Sequence, residues 1–163
     1  MTNIKINMGS LIRIKYILLD QVDVISYNEE GNEATITLVD DAEFSDFEFI
    51  QGSGSFTETE KISEGGSFFE QELNFQIPRV EGSKNQTLEV LRNKKLILAI
   101  QDGNQNQWIL GSKENPVYFK KILNRPGHPS GLNNYQINII RKSEKMAESI
   151  AASGSGGGYT DVF

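Results

Sequence analysis

Residues 52 to 77 read G-S-G-S-F-T-E-T-E-K-I-S-E-G-G-S-F-F-E-Q-E-L-N-F-Q-I, and the fold turns on how they are read. Phe56, Glu58, Glu60 and Ile62 alternate with Ser55, Thr57, Thr59 and Lys61, the period of a strand. The run breaks at Ser63-Glu64-Gly65-Gly66-Ser67, where two glycines supply the positive φ of a tight reversal. On the way back Phe69, Gln71, Leu73, Phe75 and Ile77 share one face, and Phe68, Glu70, Glu72, Asn74 and Gln76 the other. Leu73, Phe75 and Ile77 suit a core, whereas the Glu-, Thr- and Ser-rich tip does not. The expectation is a long antiparallel hairpin whose arm, residues 58 to 72, projects from the body and is separable from its folding.

Around this stretch the chain has 163 residues, enough for one domain that buries roughly two-thirds of its unfolded surface. It contains no cysteine, which removes disulfides, thiolate metal sites and cysteine nucleophiles. A net charge of −6 and a pI near 4.9 argue against a dedicated nucleic-acid binder, which needs a basic stripe. Such an acidic surface would suit a channel through which DNA slides without sticking. No apolar run reaches the ~20 residues of a membrane span, and the start lacks a signal-peptide pattern. Cytoplasmic synthesis and assembly into a larger particle are the expectation.

Upstream, Leu11 to Leu19 alternates and then turns fully apolar, so its second half is expected to be buried on both faces. Asp20-Gln21 reads as a turn, and Val22 to Tyr27 and Ala34 to Val39 as strands completing a meander with the first. Phe44 to Phe49 reads as a weak strand. Downstream, Pro78 ends the hairpin. One short helix follows over about 83–93, with Ser83 as N-cap and Leu88 and Leu91 buried. Leu96 to Ile100, Trp108 to Leu110, Val117 to Leu123 and a strand marked by Tyr135, Ile137 and Ile139 complete the pattern. Residues 142 to 152 fit a short amphipathic helix. The predicted fold is therefore mainly β, a β-sandwich or barrel with one flanking helix, the protruding hairpin 52–77 and an extended tail. The domain is 1–152, and 153–163 form a Gly-rich C-terminal arm in which Tyr159 and Phe163 would anchor on a neighbouring subunit.

Catalytic chemistry finds little support. Asp102, Asn104 and Asn106 have the first spacings of a calcium loop, but Gln107 and Lys113 stand where Gly and a bidentate acid belong. A hairpin turn explains them better. The only histidine, His128, has no orienting neighbour in sequence, and Gly52-Ser53-Gly54-Ser55 lacks the nucleophile-elbow pattern. Glutamates on an exposed arm are solvated or pair with another subunit. No catalytic, cofactor-binding or metal-binding residues are assigned, and no enzyme activity or cofactor is expected.

The block from Gly52 to Asn138 resembles small virion proteins of tailed bacteriophages, particularly those infecting Bacteroidota. The residues carrying the likeness are G-S-F-T, Q-E-L-N-F-Q-I-P, L-E-V-L-R-N-K-K, L-I-L-A-I-Q-D-G-N, Q-W-I-L-G-S and N-Y-Q-I-N-I. The resemblance covers about half the chain. It implies a tail-tube, neck or head–tail connector ring subunit located in the virion, a homo-oligomeric ring or tube in contact with other tail or neck proteins. DNA passes its channel without specific binding, and no membrane is involved. The subunit contacts expected on this reading are Phe56, Glu58, Glu60, Ile62, Phe68, Glu70, Glu72, Tyr159 and Phe163. The Gly-rich tail does not map onto the family pattern. The alternative is a monomeric carbohydrate- or protein-binding β-sandwich, with Trp108, Tyr118 and Tyr135 lining a ligand face.

Overall fold

The computed structural model describes residues 9–127, 133–150 and 162–163. The strands are β1 (Leu11–Leu18), β2 (Val22–Tyr27), β3 (Glu33–Leu38), β4 (Ser45–Asp46), β5 (Ser55–Ser63), β6 (Gly66–Pro78), β7 (Leu96–Asp102), β8 (Gln107–Leu110), β9 (Phe119–Arg125), β10 (Asn134–Ser143) and β11 (Glu148–Ile150). A 3-10 turn, Leu19–Gln21, follows β1, and helix α1 (Gly82–Leu91) follows β6. The larger sheet runs β2-β3-β11-β8-β7-β1-β4 and the smaller β5-β6-β10-β9. Both remain open, so the architecture is two sheets face to face and not a closed barrel.

Alternation decides which side chains meet. Leu73, Phe75 and Ile77 of β6 and Tyr135, Ile137 and Ile139 of β10 pack against Ile14, Leu96, Leu98 and Ile100 of the larger sheet, with Leu88 and Leu91 of α1 closing the layer. Residues 96 to 100, L-I-L-A-I, are all 0% exposed because β7 is buried on both faces. Its Ile97 and Ala99 turn the other way, into a second cluster with Ile17, Val22, Ala34, Ile36 and Ile109.

Val162 belongs to that second cluster, with Phe163 packed beside it. The Phe163 ring lies 5.4 Å from the Arg13 guanidinium carbon and 5.8 Å from Lys15 Nζ, so two outward-facing cations of β1 become its cover. Phe163, expected to reach a neighbouring subunit, thus packs on its own domain. Removing Val162 and Phe163 is expected to cost about 2–4 kcal/mol of folding free energy. For a domain of this size the melting temperature should fall by roughly 5–10 °C. An unchanged melting curve would contradict this packing.

Other expectations are corrected. β1 does not form a meander with β2: it pairs with β7 and β4, while β2 pairs with β3 at the far end of the sheet. The 3-10 turn redirects the chain between them. Residues 142 to 150 hold the end of β10 and then β11 in place of a helix, because β11 fills the gap between β3 and β8. Phe44 to Phe49 contains only the two-residue β4. Ser83 lies inside α1, whose N-cap is Glu81 without a side-chain cap. The Tyr135 hydroxyl takes over that task, accepting from Glu81 N at 3.3 Å and bonding Asn85 Oδ1.

Candidate assembly interface

The hairpin forms with Ser63 opposite Gly66, so Glu64 and Gly65 make the tip and Gly66 alone of the two glycines takes positive φ, at 119°. β10 pairs with β6 from Asn134 opposite Pro78 to Ser143 opposite Phe69. Only residues 61–68 therefore extend beyond the four-stranded sheet. The arm 58–72 is not separable as a whole, because Gln71 is 2% exposed and pairs with Arg141 of β10.

The expected contact residues divide accordingly. Phe56 packs on the main core, and Phe68 lies half-buried with Lys142 Nζ 5.4 Å from its ring. Glu70 pairs with Lys61 at 3.1 Å, and Glu72 accepts from Asn138 Nδ2 at 3.0 Å. Glu58 accepts from Gln71 Nε2 at 3.0 Å and from the Ala147 backbone at 2.8 Å. Glu60 and Ile62 remain exposed, Ile62 at 82% the most exposed large apolar residue described. Tyr159 lies outside the described residues.

Glu58 belongs to a polar joint that the residue pattern did not single out. Arg141 follows Ile137 and Ile139 on the inward face of β10, donates from Nη1 to Gln71 Oε1 at 2.7 Å and from Nε to Asn115 O at 3.0 Å. Burial lowers its pKa, opposed by the charge of Glu148 and then by Tyr27 and Glu58. Tyr27 at the same mouth is raised, first by burial and then by Glu148 and Glu114. The joint fastens the root of the hairpin to the β10–β11 turn. Arg141→Met strands Gln71 Oε1 and removes the cation that Glu148 and Glu58 act on. A loss of about 2 kcal/mol in urea unfolding is expected. Stability equal to that of the parent chain would show that the joint is not a fastening.

β5 and β9 are the edges of the smaller sheet. β5 carries Glu58, Glu60 and Lys61, whereas β9, F-K-K-I-L-N-R, carries Lys120, Lys121 and Arg125 and no acid. A register shift between Asn138 and Ile139 leaves Lys120 as a bulge, with residues 121–125 in regular pairing. Each step across β5-β6-β10-β9 is antiparallel, so β5 and β9 run in opposite directions. A second copy brought alongside in the same orientation would therefore meet the first in antiparallel register.

The remaining candidates take structural roles. Asp102 Oδ1 accepts from the backbones of Asn104 and Asn106 at 3.0 and 2.9 Å, which makes it the organiser of the β7–β8 turn. No group of three metal-ligating side chains occurs among the described residues, and His128 lies outside them. Tyr135 is 1% exposed and Trp108 packs on the core, while Tyr118 is 44% exposed, so the three do not form one ligand face. No protein family, curated protein or solved structure matches the chain.

Proposed function

We propose that this chain is a structural subunit that assembles with copies of itself, edge to edge, into a ring or tube of a tailed-bacteriophage tail or neck. The observation that carries the reading is the pair of edges of the smaller sheet, opposite in charge and antiparallel to each other. An open edge is a row of backbone donors and acceptors that proteins ordinarily protect. Lysines on β9 repel a second β9 but attract a glutamate-bearing β5. Such a contact joins two different surfaces, so repetition gives a closed ring or a helical stack.

Two further features fit. The hairpin tip protrudes beyond the end of β10, and the overall charge of −6 would keep a channel from holding DNA. The virion setting follows from the resemblance in the hairpin and strand motifs. Sedimentation velocity with negative-stain microscopy tests the reading. Rings or tubes of the purified chain are the expected result, and a monomer at every concentration up to the solubility limit would refute it.

A further inference from the structure

The end of the hairpin presents a second exposed surface. Edge pairing acts sideways, perpendicular to the strands, but the tip (residues 61–68) extends along them, beyond the end of β10. At the tip Ile62 is 82% exposed between Glu60 and Glu64. Lys61 is already paired with Glu70, so Glu64 is the tip's uncompensated charge among the described residues, with Glu60 at its base. An exposed aliphatic side chain flanked at positions 60 and 64 by glutamates suits an apolar floor with a basic rim.

One cleft has that chemistry. It has a volume of about 560 Å³, within the range of sites that hold a ligand-sized object, and lies where the 3-10 turn after β1 meets the α1–β7 link. Leu18, Leu19 and Val22 supply apolar lining, and Lys94, Lys95 and Lys113 supply cations. Lys113 Nζ is held by the Asp23 carbonyl, whereas Lys94 and Lys95 have no ion-pair partner among the described residues. A helix C-terminus favours cations nearby, but Lys113 arrives from the separate β8–β9 link. Every lining residue belongs to the larger sheet or its links, so tip and cleft lie on different parts of the domain and can be engaged together.

We infer that the hairpin tip of one copy docks in the Lys94–Lys95–Lys113 cleft of another, with Ile62 on the Leu18–Leu19–Val22 floor. This contact rests on the assembly reading and adds to it a second kind of contact between copies.

The chain has no cysteine, which makes disulfide trapping clean. Ile62→Cys protein is mixed with Asp20→Cys protein, Asp20 being exposed on the lip of the cleft, and oxidised. A mixture of Ile62→Cys with Met146→Cys, at a site 60% exposed, is the control. The 62–20 dimer is expected to form at least about tenfold faster than the 62–146 dimer, and Lys94→Glu with Lys95→Glu is expected to remove that excess. Sedimentation is read on the same samples. Oligomers without a 62–20 excess would overturn the docking and leave edge assembly standing. A monomer without cross-links would overturn both.

Discussion

Replacing Lys120 and Lys121 together by glutamate is expected to abolish self-association while leaving the monomer folded. Both side chains are exposed on β9, the basic edge of the smaller sheet. In the proposed edge contact the reversed strand would meet the glutamate-bearing β5 of another copy, and a like-charge contact costs several kcal/mol. The expected result is an association constant at least about 100-fold weaker by sedimentation. Exposed substitutions cost about 0.5 kcal/mol or less each, so the melting temperature of the double variant should stay within about 4 °C of the parent's. A copy carrying Glu60→Lys, mixed with the reversed variant, should recover part of the affinity. Undiminished assembly by the reversed protein would show that β9 is a protected edge and nothing more.

The second large effect lies in the core and tests the fold itself. Gly111 sits just beyond β8 at φ 112°, and a Cβ there would stand 2.8 Å from Ile97 Cδ1, 3.2 Å from Val117 Cγ2 and 3.3 Å from the Leu96 carbonyl oxygen. Leu96 and Val117 are bridged by backbone hydrogen bonds in both directions, at 2.9 and 2.8 Å, so the wall beside Gly111 has little room to yield. Gly111→Ala therefore combines a left-handed backbone with overpacking, each worth roughly 1–3 kcal/mol. A loss of about 3–5 kcal/mol is expected, seen as a lower urea midpoint with an unchanged slope. A midpoint near that of the parent chain would mean that the β8 exit is not packed as described.

Much of this architecture is legible in short-range pattern. The alternation over residues 55–77 specifies the hairpin and which of its residues turn inward, and the unbroken run L-I-L-A-I marks a strand buried on both faces. What the pattern misses is decided by distant partners. β11 is three residues long and exists because β3 and β8 leave a place between them. The spacing of K-S-E-K-M-A-E-S-I also fits a helix turn, and nothing local separates the two. The partner of β1 is β7, some eighty residues away, whereas local pattern alone favours a meander. At the interface, Glu58, Glu70 and Glu72 look as solvated as Glu60 in sequence. Gln71, Lys61, Asn138 and the Ala147 amide claim the first three, and only the folded sheets reveal it. Two signals were open to a closer reading. Arg141 continues the inward series of Ile137 and Ile139, and F-K-K-I-L-N-R is a strand with three cations and no acid.

Hydrogen exchange followed across a concentration series would reach the pairing of sheet edges most directly. Amides of residues 55–63 and 119–125 are expected to gain protection as concentration rises, with those of β7, already buried in the monomer, unchanged. Exchange at both edges that is the same at every concentration, in protein shown to be assembled, would contradict the account.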